Sequence, residues 1–279
     1  MQTKLILIEG IPGSGKTTIA GKVNNYLNAG NIKTQLFCEG DIHPADLSWC
    51  AYIPLNEYEN ILSKNVNHLD VIRKFSKIEK DYAIVAYTKM GLLPNEVKDF
   101  AAYEVYDGRV PAEKFMELHQ KRWKVFCERA HQEADVNIFE CAYLQNSICE
   151  LMGIHMQPEE KVCEYLLSLM NIVEKLNPVL IYLTQPDIKE TISRVAKERI
   201  SPDKAIMKDW IDMVIDWVEN SKYGKINNLK GLDGTIRFFE DRKRVELSVL
   251  EKLPIKKYII NNPDYNWDSV FNNIKEILI

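Results

Sequence analysis

Six cysteines are present, but no two of them form a Cys-x-x-Cys pair. Cys38, Cys50, Cys127, Cys141, Cys149 and Cys163 fall mostly inside apolar segments, where a free thiol behaves as a small hydrophobe, so they read as reduced. There is no excess of basic residues either: 36 Lys and Arg stand against 40 Asp and Glu, for a formal net charge of −4. That balance offers nothing to nucleic acid or to an anionic membrane surface, and neither is expected as a partner. No apolar run approaches the length of a membrane span. The first apolar run begins within a few residues of Met1, which leaves no room for a charged region, an apolar region and a cleavage site, so the expected location is the cytoplasm. Internal repeats and low-complexity tracts are also absent. What remains is an ordinary globular composition, 46% hydrophobic and 27% charged, in 279 residues, enough for one large domain or two small ones.

Against that background one stretch stands out. Gly10-Ile11-Pro12-Gly13-Ser14-Gly15-Lys16-Thr17-Thr18 fits the pattern G-x-x-x-x-G-K-[ST] at every fixed position. Before it, Lys4-Leu5-Ile6-Leu7-Ile8 is apolar and too short for a typical helix; after it, Ile19, Ala20, Val23 and Leu27 recur at helical spacing. The context is strand, loop, helix. Gly10, Gly13 and Gly15 let the backbone turn sharply with its N–H groups inward, in front of the positive end of the helix, and such a nest binds phosphate. Gly13, Ser14, Gly15, Lys16, Thr17 and Thr18 are therefore the expected nucleotide-binding residues. Lys16 is expected to reach the terminal phosphates, the Thr17 hydroxyl to sit on Mg²⁺, and Thr18 to add a hydroxyl toward the inner phosphate. ATP is the expected co-substrate and Mg²⁺ the cofactor.

The first helix runs from about Gly15 to Asn28, with Gly30 suited to a left-handed cap. A second strand, Thr34-Gln35-Leu36-Phe37-Cys38, leads into Glu39-Gly40-Asp41-Ile42-His43-Pro44. In an open parallel sheet the carboxyl end of a strand faces the ligand crevice, which makes Glu39 and Asp41 candidates for the acceptor side; a solvated turn is the other reading of both. Placed after a phosphate loop and a second strand, Gly40-Asp41-Ile42-His43-Pro44 resembles the G-D-x-x-H-P stretch of the gluconate kinases and the D-G-D of the adenylylsulfate kinases. Those families are small-molecule kinases with a phosphate loop. The resemblance implies that Asp41 faces the acceptor hydroxyl and has a catalytic part, with Glu39 and His43 on the substrate side. His43 stands one residue nearer its Asp than in gluconate kinases, and a turn-stabilising or capping role is its second reading.

From 46 to 133 no parallel-strand rhythm is visible, apart from Tyr82-Ala83-Ile84-Val85-Ala86-Tyr87, which reads as a short strand or a buried helix segment. The rest reads as a largely helical insertion. Pro111 stands at a first-turn position, and Phe115, Leu118, Trp123, Phe126 and Ala130 give an apolar face. By its position between the second and third strands this insertion would cover the acceptor, with Trp49, Tyr52, Arg122 and Trp123 as substrate-binding candidates. Core packing for the aromatics and a surface ion pair for the arginine are the alternatives.

A third strand, Val136-Asn137-Ile138-Phe139-Glu140, ends in an acid, and Glu140 is the candidate for the Mg²⁺ shell, held through water. Thymidylate-type kinases carry an Asp-Arg pair here; its absence counts against a nucleoside monophosphate as acceptor. A helix over 158–176 precedes a fourth strand, Val179-Leu180-Ile181-Tyr182-Leu183, and Asp187 with Glu190 makes a capping box for the next helix. That helix carries Arg194, Lys197 and Arg199. The pattern R-x-x-K-x-R resembles the lid of phosphate-loop kinases, which implies that Arg194 and Arg199 close over the phosphates during catalysis; a solvated basic face is the alternative. Trp210, Met213, Val214 and Trp217 mark another helix, 221–234 reads as an irregular connection, and Glu240-Asp241-Arg242-Lys243-Arg244 as a solvated helix start. A fifth strand, Lys257-Tyr258-Ile259-Ile260-Asn261, and a helix over 267–278 close the chain.

Alternating strands and helices give an α/β fold, a five-stranded parallel sheet flanked by helices. One phosphate-loop kinase domain is expected over 1–279, with the insertion at 46–133 and a lid-like region at 187–235. The expected activity is transfer of the terminal phosphate of ATP to a hydroxyl of a small acceptor. A nucleoside or nucleotide kinase, and a nucleotide-operated switch without phosphoryl transfer, are the alternatives. A homodimer is compatible with all three.

Overall fold

A computed structural model of the chain describes residues 2–204 and 207–278, so Ala205 and Ile206 of the lid-like stretch lie outside the described residues. In chain order the elements are β1 (Leu5–Gly10), α1 (Lys16–Ala29), β2 (Thr34–Phe37), β3 (Ala51–Pro54), α2 (Leu55–Lys64), α3 (Leu69–Lys74), β4 (Ser76–Glu79), β5 (Tyr82–Val85), α4 (Pro94–Ala101) and α5 (Ala112–Gln132). There follow β6 (Val136–Glu140), α6 (Gln145–Ile148), α7 (Glu159–Val173), β7 (Val179–Thr184), α8 (Ile188–Glu198), α9 (Trp210–Asn220), α10 (Lys222–Ile226), α11 (Gly231–Lys252), β8 (Lys256–Asn261) and α12 (Trp267–Leu278). They form two compact units, Met1–Leu36 with Cys127–Ile279, and Phe37–Phe126.

The first unit is an α/β sandwich on a five-stranded parallel sheet of order β2-β6-β1-β7-β8. β1 is buried along its whole length, as an apolar run without alternation has to be when helices cover both faces of a sheet. It pairs in parallel with β6, Leu5 opposite Asn137, and with β7, Ile6 opposite Val179. The chain therefore leaves β1 where the strand order reverses, and the glycine-rich stretch follows at the carboxyl edge of the sheet. Ile19, Ala20, Val23 and Leu27 of α1 pack with Val270, Ile274 and Leu278 of α12 against Ile6, Ile8, Ile138 and Ile181. Each of these buried Val, Leu and Ile side chains contributes about 1.5–3 kcal/mol over exposure.

Three local expectations are corrected in this unit. Gly30 has φ −84° and the left-handed residue is Asn31, with φ 60°; Asn tolerates that region because its short polar side chain bonds locally. The run Glu240 to Arg244 is not a solvated helix start but lies inside α11, and the stretch 221–234 is not irregular throughout, since Ser221 caps α10 by accepting the Gly224 N–H (2.9 Å). Phe238, Phe239, Arg242, Val245, Glu246 and Val249 share the buried face of α11, while Glu240 and Arg244 are exposed. Counting charges hid a helical period that runs straight through them.

The second unit holds a three-stranded antiparallel sheet of order β3-β5-β4, so the stretch expected to be largely helical is mixed. Tyr82 to Val85 is strand, paired through Ile53 opposite Ala83 and Ile78 opposite Ala83. Each of its strands has four residues, too short to show an alternation in sequence. Ala51, Ile53, Ala83 and Val85 pack against Tyr58, Ile61 and Leu62 of α2, Ile72 of α3 and Phe100 of α4, which gives the unit its own core. Among the described residues no helix is long and apolar enough to cross a membrane, and the six cysteines carry thiols rather than disulfides.

Candidate active site

β1 ends at Gly10, whose φ of +144° is open to glycine alone; a Cβ there would lie 2.3 Å from the Leu183 carbonyl oxygen and 2.8 Å from Ser14 Oγ. Gly15, at φ +91°, is the N-cap of α1, and a Cβ on it would lie 2.2 Å from the Trp267 ring. Because the cap is a glycine, no side chain satisfies the first N–H groups of α1, and an anion is the natural partner for them. Ser14 is wholly buried, and Thr17 and Thr18 are exposed on the first turn. The Lys16 ammonium, nearly buried, donates to the Ile11 carbonyl (3.1 Å), which also accepts the Ser14 N–H (3.2 Å).

Thr17 and Glu140 meet: the threonine hydroxyl donates to Glu140 Oε1 at 3.2 Å, with the Cys141 thiol on the same oxygen at 2.9 Å. Cys141 has φ 68°, so the chain turns sharply as it leaves β6. Among the described residues no group of three or more His, Cys, Asp and Glu is arranged to hold a metal ion. A hydroxyl and a carboxylate are nonetheless hard oxygen donors of the kind Mg²⁺ uses, one or two at a time, alongside water and phosphate.

Arg194 and Arg199 part company. Arg194 donates to the Gly13 carbonyl (2.9 Å), pairs with Glu198 and lies over the Tyr265 ring at 3.8 Å; Tyr265 in turn bonds Thr191 (3.1 Å). Its helix starts from Asp187, which accepts the Glu190 N–H at 2.7 Å as expected of the N-cap. Arg199, at the carboxyl end of α8, is exposed and lies 5.2 Å from the Trp210 ring.

Behind the loop stands a buried polar group that the sequence reading did not single out. Glu9, wholly buried, accepts the N–H groups of Tyr143 (2.8 Å) and Gln145 (3.1 Å). Burial pushes its carboxyl up to about 7, with those two N–H groups pulling the other way. Arg242 and Glu246 of α11 form an ion pair (3.0 Å) at 1% and 0% exposure, and Tyr182 donates its hydroxyl to Glu246 (2.5 Å). The signal available was Glu9 itself, a charge inside an otherwise apolar strand, and the i,i+4 spacing of Arg242 and Glu246.

The acceptor-side candidates all lie in the second unit. Asp41 is engaged at both oxygens, Oδ2 by the Cys38 N–H (2.8 Å) and Oδ1 by the Lys89 ammonium (2.7 Å). Lys89 had no motif to mark it. Glu39 accepts the Trp49 indole N–H (2.9 Å), and Trp49 itself has φ 58°. Nδ1 of His43 accepts the N–H groups of Ala45 (3.0 Å) and Asp46 (2.8 Å), the geometry of a turn-stabilising histidine. Arg122 is buried, not at the surface, with Glu79 (2.8 Å) and the His43 carbonyl (2.9 Å) as partners. Trp123 is wholly buried and donates to His119 Nε2 (2.9 Å), while Tyr52 stacks on Tyr82 with ring centroids 4.3 Å apart. Burial holds His43 down to about 3 and His119 down to about 4, so both stay neutral at physiological pH.

The fold is thus α/β, with a glycine-rich turn after the central strand of its five-stranded parallel sheet. No protein-family model matches the chain, and no curated protein matches it either. Among solved structures, 99% of the chain is similar to 99% of a thymidylate kinase from Ehrlichia chaffeensis, at 13% identity and a TM-score of 0.43. Likewise 98% of it is similar to 98% of a deoxyadenosine kinase from M. mycoides, at 13% identity and a TM-score of 0.42.

Proposed function

We propose that the chain is a kinase that transfers the terminal phosphate of Mg·ATP to a hydroxyl of a small acceptor. The observation that carries the reading is the glycine-capped start of α1 with Lys16 and the Thr17–Glu140 oxygen pair beside it. On this reading the loop N–H groups and Lys16 neutralise the phosphates, with Lys16 leaving the Ile11 carbonyl for the ligand. Thr17 and Glu140 would hold Mg²⁺, which supplies charge neutralisation at the transferring phosphoryl group. Arg194, already bonded to Gly13, closes on the same phosphates. Asp41 takes the proton of the acceptor hydroxyl, and Glu39, His43, Trp49, Tyr52, Arg122 and Trp123 shape the acceptor side, the buried ones through packing. The transfer needs no other cofactor.

The test is acceptor-dependent ADP release across hydroxylated metabolites, nucleosides, nucleoside monophosphates and antibiotics, run beside Lys16→Ala. Turnover that appears with one acceptor class and is lost in the variant supports the reading and names the class. ATP turnover at the same rate without any acceptor supports the switch alternative instead.

A further inference from the structure

We infer that Arg242 is a positioning residue for the phosphate loop: from the buried face of α11 it holds the Gly10 carbonyl and so sets the peptide that leads into the anion cradle. The inference rests on the phosphate-loop reading above. Arg242 donates to the Gly10 oxygen through a long hydrogen bond of 3.4 Å, pairs with Glu246 at 3.0 Å, reaches Cys149 Sγ at 3.5 Å and lies 5.1 Å from the Phe239 ring. Glu246 is itself held by Tyr182 from β7, the strand next to β1.

A buried ion pair is a poor way to fasten a helix to a core, because an apolar pair of the same size does it as well without desolvating two charges. What an apolar pair cannot do is grip a carbonyl. Gly10 is the residue whose carbonyl needs gripping: at φ +144° it is the pivot between strand and loop. The peptide joining Gly10 to Ile11 is trans, as are all described ones, and a planar trans peptide carries its N–H opposite its C=O. Anchoring the Gly10 oxygen on α11 therefore fixes the direction of the Ile11 N–H. The Ile11 carbonyl is in turn the oxygen on which the Ser14 N–H and the Lys16 ammonium converge. One guanidinium thus sets the frame in which the loop's donors are presented. α11 also packs on α8 and α9, so the same helix that borders the lid-like region reaches the loop.

The experiment compares Arg242→Met combined with Glu246→Gln, which leaves no lone buried charge and keeps an acceptor for Tyr182, with the parent chain. Thermal unfolding without ligand checks the fold. Calorimetric titration with Mg·ATP and with Mg·tripolyphosphate, which has no base or sugar, reads the loop. The expected result is a folded variant that binds both probes about tenfold more weakly, by the same factor, as befits loss of one charge-assisted hydrogen bond. Parent-like affinity for both probes in the folded variant overturns the inference, and so does a loss confined to Mg·ATP, since that locates the effect away from the phosphates. If the double variant does not fold, Arg242→Lys, which retains the ion pair and lacks the second nitrogen for Gly10, is judged by the same two titrations. A parent chain that binds neither probe sinks the phosphate-loop reading itself, an outcome distinct from the others.

Discussion

At Asp41 both carboxylate oxygens are engaged, one by backbone and one by Lys89, so a hydroxyl that is to lose its proton there must take the place of the lysine. Asp41→Asn keeps the shape and removes the base. It should leave Mg·ATP affinity unchanged and slow transfer by about a hundred- to ten-thousandfold; Glu39→Gln, whose parent carboxylate is occupied by Trp49, should transfer at close to the parent rate. The reverse outcome moves the base to Glu39. A second residue-scale expectation concerns pH. His43 and His119 lie below their ordinary value of 6.5, at about 3 and about 4, so the stability they contribute is present above 6.5 and is lost as pH falls through those values. Glu9 lies above its ordinary 4.5, at about 7, so its contribution is complete below 4.5 and is lost as pH rises through 7. Unfolding midpoints measured from pH 4 to 8 should show His119→Gln flattening the acid limb and Glu9→Gln the neutral one. Unchanged limbs in both variants would refute the two assignments.

Helix α8 shows how much one cap carries. Asp187→Ala removes the side chain that holds the Glu190 N–H and should cost about 1 kcal/mol, read by denaturant unfolding. The first turns of α8 should also exchange their amide hydrogens faster, and with them the helix that brings Arg194 to Gly13. An unchanged denaturation midpoint would show that packing of Ile188, Thr191 and Ile192 holds the helix start without its cap. This element was legible in the sequence, as were β1, α1, β6, β7, β8 and α12. Each announces itself by an apolar run or a helical period next to a cap or a glycine. Of the three four-residue strands of the second unit, β5 showed as an apolar run that fitted a strand or a buried helix segment, whereas β3 and β4 were not legible, because their partners lie across turns and only pairing defines them. The interior of α11 was hidden for another reason: Arg242 and Glu246 look solvated until Tyr182 and Gly10, far away in sequence, supply their partners. In the candidate site the same division holds. The loop is a local motif and could be read directly, whereas Glu9 and Lys89 acquire meaning only through residues the fold brings to them.

For the molecule as a whole, a ligand that binds the folded loop and not the open chain must raise the unfolding midpoint with its concentration. Mg·ATP at a hundred times its dissociation constant should add about 2.7 kcal/mol, and Lys16→Ala should remove most of that gain. A midpoint that ignores Mg·ATP up to millimolar concentration contradicts the nucleotide assignment. The order of the chain has its own consequence. Leu5 pairs with Asn137 and Ile6 with Val179, so the central strand of the five-stranded sheet leaves the ribosome long before either neighbour has been made. Residues 37–126 emerge in between, with a small sheet whose strands pair among themselves. Throughout that interval a largely apolar strand stands without its sheet, a stretch of the nascent chain on which chaperones and stray partners act.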